Sequence, residues 1–531
     1  MDFDFIVVGS GFGGSVAALR LSEKGYRVAI VEQGIRVSPE QMLRAQTRAR
    51  SLFWIPALRN RGFFAQTMLQ HVTIPQGIGL GGGSLVYGAV LLQPDKAFFH
   101  DPSWNNLGVD WEKELSPHYE TAKGMLGRAL NPYKHEMDGY LEEAARSLGV
   151  LDSYGPVPLG VYFGKPGVQE GDPFFGGRGP ARTGCEECGA CFTGCPSGAK
   201  NSLDKNYLFL AERFGARVIC EKKVRLLRPC PLPGKGYEIG MEDPFRRGRG
   251  TETLTAAKVV IAAGVLGSLE LLFRCRDACK TLPDVSRSLG SRVRTNSEAV
   301  VGVLSQDPNA DLTRGTSISS HFYANERTHV TQNRFPRSYG FMRFVLGPMI
   351  DDERPGVRAL KVILYSLLHP IRATTAWRAR RFTRRFTALT VMQRADNQLS
   401  LHYGRSWRSP LKKRLLSKPA GGKMAPAYLR EANEAARAIA DRTNGWPTNL
   451  LHESVFNVST TGHIMGGCDI AADPTRGVID TNHEVFGYPG LYVLDASAIP
   501  ANVGVNPSLT ITALAERWAS LIPEANRKAG S

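Results

Sequence analysis

Along the first part of the chain, the apolar and polar positions change their period twice. FDFIVVG is a compact apolar run rich in β-branched residues, as expected of a buried strand, and it stops at a cluster of glycines. SVAALRLSEKG then carries apolar residues at helical spacing, and YRVAIVEQG returns to a continuous apolar run ending near Glu32. Strand, helix and strand in this order predict a βαβ unit at the start of the chain. Farther on, GARVICEKKVRLLRP reads as a pair of strands, and AAKVVIAAGVLGSLELLFR as a buried strand, a glycine turn and a helix. Together these predict an α/β nucleotide-binding domain, to which the chain returns with LYVLDASAIP and the helix PSLTITALAERWASL. From about residue 297 to 459 the pattern shifts to mixed strands and then arginine-rich helical stretches, which predicts a second domain. Residues 38–76 alternate arginines with bulky apolars and read as a covering segment, while RSWRSPLKKRLLSKPAGGKM reads as an exposed loop.

The glycines after the first run each have a physical task. Gly9 permits a tight turn, Gly11 lets the backbone approach a pyrophosphate, and Gly14 lets helix and strand pack closely. The N-terminus of the following helix offers free N–H groups to phosphates. Glu32 is placed to accept from ribose hydroxyls, and its charge disfavours a 2′-phosphate, which argues against NADP. A second glycine cluster, GIGLGGGSLVYG, includes Gly77, Gly79, Gly81, Gly82 and Gly83 and suits chain passing flat against a ring system.

With 531 residues the chain is too long for one ordinary core, so two or more domains are expected. Its 42% hydrophobic and 22% charged residues fit a soluble globular protein, and no apolar run is long enough to span a bilayer. The N-terminal apolar stretch has no basic lead and runs into a patterned helix, so it is not a signal peptide, and a cytoplasmic location is expected. The net charge of +17 suits an anionic partner. No nucleic-acid fold motif is present, which leaves an anionic membrane surface as the class to consider. The densest basic segment, RATTAWRARRFTRRFTALTV, places Arg372, Arg378, Arg380, Arg381, Arg384 and Arg385 among Trp377, Phe382 and Phe386. It reads either as a solvated helix face with core aromatics or as a peripheral membrane contact.

Four of the nine cysteines fall in CEECGACFTGCP: Cys185, Cys188, Cys191 and Cys195. The run C-x2-C-x2-C-x3-C-P is the one bacterial ferredoxins use for an iron–sulfur cluster. Zinc sites usually set two short cysteine pairs across a longer loop, and this run is more compact. Cluster, zinc and structural thiols all stay open, with Cys220, Cys230 and Cys468 as remote candidates to complete a site. A cluster would pass electrons singly from a two-electron cofactor to a one-electron carrier.

Several blocks together resemble one family. GSGFGGSVAALRLSEKGYRVAIVE, GLGGGSLVYG, GPARTGCEECGACFTGCPSGAKNSLDKNYL, VVIAAGVLGSLELL, GHIMGGCDI and LYVLDASAIPANVGVNPSLTITALAER are similar to the glucose–methanol–choline (GMC) flavoprotein oxidoreductases, and within them to the mycobacterial-type cholesterol oxidases. The resemblance implies an α/β protein. A Rossmann-like FAD-binding domain of GMC/PHBH type would be formed by residues 1–296 and 460–531, with a covering segment at 38–76 and a cysteine-rich insertion at 180–200. A second α+β substrate-binding domain, residues 297–459, would be built on a mixed or antiparallel sheet. FAD is the implied cofactor, with contacts at Gly9, Gly11, Gly14, Glu32, Gly81, Gly82, Gly83, Ser84, Val224, Gly264, Asp495 and Asn506.

The same resemblance makes His463 and Asn506 the catalytic residues for oxidation of a secondary alcohol, with a sterol or another bulky apolar alcohol as substrate. A histidine suits proton abstraction because its pKa lies near working pH. Asn506 can donate to the substrate oxygen or the flavin edge, or can cap the helix that follows it. Some sterol oxidases of the family carry a substrate-domain glutamate that moves a ring double bond. NERTHVTQNRFP offers Thr331 and Gln332 there, with Glu326 out of register, so oxidation without isomerisation is expected. A dehydrogenase for another alcohol that feeds an electron carrier is the alternative.

Overall fold

A computed structural model describes residues 1–231, 236–246, 250–406, 409–421 and 424–525. The elements that position the site are, in chain order, β1 (Phe3–Val8), α1 (Phe12–Glu23), β2 (Val28–Val31), β3 (Arg217–Ile219), β4 (Lys223–Pro229), β5 (Tyr237–Glu242), β6 (Glu252–Ile261) and α2 (Gly264–Phe273). There follow β7 (Ala299–Leu304), β8 (Ser320–Asn325), β9 (Thr328–Asn333), β10 (Leu346–Pro348), α3 (Pro355–Leu368), β11 (Phe386–Gln393), α4 (Arg430–Thr443), β12 (Trp446–Leu450), β13 (Leu491–Val493) and α5 (Ser508–Leu521).

The first sheet runs β3-β2-β1-β6-β5-β4, with β13 also paired to β6. β1 is parallel to both β2 and β6, so the opening βαβ unit forms as its apolar runs dictate. β6 changes partner along its length. Its first half pairs antiparallel with β5, and Val259–Ile261 pair parallel with Leu491–Val493. All four residues of β2 are buried, as are Phe5 to Val8 of β1. α1 is buried along most of its length. Arg20 on α1 holds Glu516 on α5 in a two-pronged ion pair at 2.8 and 2.9 Å, and Glu516 also accepts from the Tyr207 hydroxyl at 2.6 Å.

The second sheet runs β10-β12-β7-β11-β9-β8 and takes Gly155–Pro156 as a further edge strand. Its two faces separate by the period of two along each strand. Val301, Val330, Leu389 and Val391 point to α4 and pack on Ala432, Ala435, Ala436 and Ile439. Val300, Thr331 and Thr390 form a row on the other face, in register across β7, β11 and β9, and line the central cavity. Residues 399–406 and 409–419 form an antiparallel hairpin, not the loop expected of that stretch, and residues 407–408 and 422–423 lie outside the described residues. Leu399 and Leu401 are buried, which gives the hairpin an anchor that its lysines and arginines mask in the sequence. In the arginine-rich segment Phe382 and Phe386 are core residues, and all its arginines but Arg385 are exposed. No helix among the described residues is long and apolar enough to cross a membrane.

Candidate active site

Between the two sheets lies a cavity of about 700 Å³. Its nucleotide end is shaped by backbone. Gly9 has φ +99°, and a Cβ there would sit 2.3 Å from the Ala262 carbonyl oxygen. A Cβ at Gly14 would sit 2.1 Å from the Gly9 carbonyl oxygen, so Gly14 serves helix–strand packing and does not line the cavity. A Cβ at Gly11 would meet nothing within 4 Å, because this residue faces the open space. α1 starts here with no side-chain cap, leaving its first N–H groups free for a ligand.

Glu32 is buried on the cavity wall. It accepts from Ser10 Oγ at 2.7 Å, Ser10 N at 3.2 Å and Gly34 N at 2.8 Å. Burial pushes its carboxyl pKa up, against the pull of these hydrogen bonds. Ser10 Oγ also accepts from Gly81 N at 3.1 Å, which ties the two glycine clusters together. Gly82, at φ +51°, brings backbone so near Gly11 that a Cβ would lie 2.9 Å from the Gly11 Cα. Gly82, Gly83, Val224 and Gly264 line the cavity, and Gly81 and Ser84 stand behind it. The Ser84 hydroxyl donates to Gly81 O at 2.6 Å and accepts from Leu203 N. Asp495 does not line the cavity either; its carboxylate is taken by the Ser497 backbone and hydroxyl at 2.8 and 2.6 Å and by the Ser268 hydroxyl. Its motif is recognisable because it organises the junction of β13 and α2.

At the other end three distant segments meet. His463 Nδ1 lies 2.7 Å from Glu298 Oε1, and Asn506 Nδ2 donates to His463 Nε2 at 3.1 Å. These partners fix one tautomer, with the proton on Nδ1 and a lone pair on Nε2. Glu298 is buried just ahead of β7. It also accepts from Thr461 Oγ1 at 2.7 Å and Gly462 N at 2.8 Å, so both its oxygens are engaged in holding the histidine loop. The preceding Ser297 holds φ +47°, a left-handed conformation uncommon outside glycine and a mark of a constrained site. Asn506 does not cap α5. The helix starts at Ser508 with Pro507 at its cap position, and the Asn506 amide is turned to His463. Its Oδ1 is buried without a partner.

Glu298 was not expected from the sequence. No motif surrounds it in RTNSEAVVGVL, and the only local signal is an acid at the head of an apolar strand. It supplies the cavity with a carboxylate from the segment just ahead of β7, not from β9. Thr331 does line the cavity, whereas Glu326 is exposed in the β8–β9 turn. His452 is also on the wall, with Nε2 2.7 Å from Thr460 Oγ1. Beside it the buried Glu453 is pushed up to about 8 by desolvation.

The cysteine run comes together at one place. Cys185, Cys188, Cys191 and Cys195 border a second void of only about 20 Å³, room for about one water. Among the described residues no group of His, Cys, Asp or Glu side chains is arranged to hold a metal ion. Burial pushes the Cys185, Cys188 and Cys191 thiols up, toward the protonated form. Lys200 also borders the void, its Nζ donating to the Leu85 and Cys191 carbonyls at 2.9 and 2.7 Å. Of the three readings left open by the spacing, neither a cluster nor zinc finds support in this arrangement, and among the described residues Cys220, Cys230 and Cys468 join no metal-binding group. The loop acts instead as a strap. Cys191 N donates to Ser317 Oγ at 2.9 Å, and Gly189 N to Gly315 O at 2.7 Å. This seats Phe192 in the cavity wall, stacked on Phe335 at 5.6 Å.

The nucleotide end fits FAD: an open cradle over Gly11, an uncapped helix N-terminus, the Glu32 carboxylate, and the unpartnered Asn506 oxygen at the far end. Comparison with known proteins agrees. Residues 396–515 match the family described as GMC oxidoreductase, and residues 7–40 match the NAD(P)-binding Rossmann-like domain. A cholesterol oxidase of Mycobacterium tuberculosis is 40% identical over 98% of this chain and 91% of its own length. A cholesterol oxidase of Acinetobacter baumannii is 38% identical over 98% of this chain and 94% of its own. Among solved structures, pyridoxine 4-oxidase from Mesorbium loti superposes with a TM-score of 0.62 at 18% identity, covering 97% of this chain and 98% of that one.

Proposed function

The chain belongs to the GMC oxidoreductase family, FAD-dependent enzymes acting on CH–OH groups, and from that premise we propose that it oxidises the 3β-hydroxyl of a sterol to the ketone. The observation that carries this reading is where the His463–Asn506 pair stands: at the edge of a cavity walled by Phe64, Ile74, Phe192, Phe335, Phe341 and Leu450. Such a wall suits a rigid apolar ring system, with one polar end for its hydroxyl. The cholesterol oxidases named above support the same substrate class.

In this reading the substrate hydroxyl takes the place of the Asn506 amide at the single Nε2 lone pair, and His463 Nε2 takes its proton. The Glu298 carboxylate holds the Nδ1 proton and balances the positive charge that forms on the ring. The Asn506 amide, released from Nε2, donates to the substrate oxygen. The N-terminus of α5 directly follows Asn506 and points its positive end into the same space. FAD, when bound by the Gly9–Gly14 turn, Glu32 and the Gly81–Gly83 segment, supplies the acceptor for the hydride of the carbinol carbon.

Glu298 is committed to three hydrogen bonds and does not serve as a mobile shuttle. A 3β-hydroxy-5-ene sterol is therefore expected to give mainly the unshifted 5-en-3-one at early times. The test is anaerobic mixing of the flavinated protein with cholesterol, following flavin bleaching and then chromatography of the quenched product. Bleaching by short alcohols but not by cholesterol would overturn the substrate class. Immediate conversion to the conjugated 4-en-3-one would overturn the assignment of Glu298 to positioning alone.

A further inference from the structure

α3 carries its apolar stripe on the wrong side for a helix that serves only its own core. Leu360, Ile363, Leu364, Leu367 and Leu368 recur at the spacing of one helical face, and Ile371 continues the row in the short helix Pro370–Ala373. All six face solvent and are 47 to 73% exposed. The inward face is polar instead. Arg358 is buried and donates to Asp352 O at 2.9 Å, Glu453 O at 3.2 Å and Asn457 Oδ1 at 2.9 Å, and Val362 is the only other buried residue of the helix. The helix is thus anchored by an arginine, and its hydrophobic side is free to engage something else.

Two further features say what that is. From Arg354 to Arg385 the chain has nine Lys and Arg residues and no Asp or Glu. Arg372, Arg378, Arg380 and Arg381 among them are exposed, and Lys361 and Arg384 are exposed but paired with Asp352 and Asp311. The stripe also adjoins the cavity. β10 packs on α3, the Trp377 indole donates to Leu346 O at 3.2 Å, and the two residues before β10, Phe344 and Val345, are exposed. Val345 lines the cavity together with Phe341 and Met342.

We propose that this face docks on an anionic lipid bilayer, with α3 lying in the interfacial plane and the cavity rim at Phe344 and Val345 opening onto the hydrocarbon. An exposed leucine stripe flanked by cations is the arrangement of a helix that lies in a membrane interface. A second copy of the chain fits less well, because pairing these faces would bring Arg372, Arg378, Arg380 and Arg381 of each copy together. The inference goes beyond the sterol reading, since it concerns binding to lipid whatever the enzyme oxidises.

The test uses the flavinated full chain and sterol-free vesicles of phosphatidylcholine and phosphatidylglycerol in a flotation assay, so that failure of docking and failure of the substrate assignment are read separately. The wild-type protein is expected to float with the vesicles. Changing Leu367→Asp with Leu368→Asp should cut partitioning by about tenfold or more, with flavin content and turnover of detergent-solubilised alcohol unchanged. Arg372→Glu with Arg381→Glu should weaken binding to anionic vesicles and remove its preference over pure phosphatidylcholine. The proposal is overturned if the wild type stays in the soluble fraction with anionic vesicles, or if both variants float as it does. It is equally overturned if the stripe proves to hold a dimer that the aspartates split and that does not bind lipid.

Discussion

Replacing Glu298 by glutamine probes the centre of the site with no change of shape. The carboxylate now presents an acceptor on both oxygens: Oε1 to Thr461 Oγ1 and His463 Nδ1, both at 2.7 Å, and Oε2 to Gly462 N at 2.8 Å. A glutamine has one acceptor. If its NH2 faces Nδ1, the histidine proton must move to Nε2, where it meets the Asn506 Nδ2 donor and the lone pair for the substrate is gone. If its NH2 faces Gly462, two donors oppose each other and the histidine loop is loosened. A hydrogen bond to a charged group contributes about 1.5–3 kcal/mol. Spent in the transition state, this is about 10- to 150-fold in the rate of flavin reduction at 1.36 kcal/mol per tenfold. Anaerobic stopped-flow with saturating alcohol reads that rate directly. The expected result is a lower rate with KM and flavin content near wild type, partly recovered in Glu298→Asp. A Glu298→Gln protein that reduces its flavin at the wild-type rate would refute the positioning role.

Other outcomes follow from the same geometry. His463→Ala should retain FAD and lose about 10²–10⁴-fold in flavin reduction, and wild-type bleaching in that variant would remove His463 from the chemistry. Gly11→Val adds a side chain where the protein itself leaves open space, so it should fold and yet fail to hold FAD; a fully flavinated variant, measured by flavin absorbance in the blue against protein, would disprove the cradle. Glu453 is pushed up to about 8 by burial, so the folded state holds its proton above the pH at which the unfolded chain releases it. The wild type should therefore lose stability relative to Glu453→Gln as pH rises from about 5 to about 8. Equal Tm differences at both ends of that window would show that the group does not titrate this way.

Much of the nucleotide half could be read from the sequence because its information is local. The period change from strand to helix, the glycines and Glu32 all lie within one βαβ unit, and β1, α1 and β2 form where the pattern places them. His463 and Asn506 were legible only as parts of family motifs, and their meeting depends on tertiary structure. Glu298 was invisible because its partner is far along the chain and no local pattern marks a carboxylate that will be buried beside a histidine. The cysteine spacing left cluster, zinc and structural thiols open for a related reason. Spacing sets what a loop can reach, while tertiary hydrogen bonds to the Gly315–Ser317 segment and to a buried lysine hold this loop in place. The leucine pattern of α3 likewise reveals an amphipathic helix, but periodicity does not tell which face meets the protein. A buried Arg358 settles that, against the usual direction.

The way β6 divides its partners has a consequence for how the chain matures. Its first half finds β5 almost at once, through a short antiparallel connection. Val259, Val260 and Ile261 must wait for Leu491–Val493, which leave the ribosome only after the whole second sheet has been made. During synthesis an apolar strand edge therefore stands open beside the flavin turn, where it is prone to mispairing with other chains. Closure of that edge brings β13, the histidine loop and α5 into place together, so cofactor retention and catalytic competence should appear in one late step of biogenesis. A nascent chain stalled before β13 would be an aggregation-prone client for chaperones, and no shorter N-terminal fragment would yield a partly active enzyme.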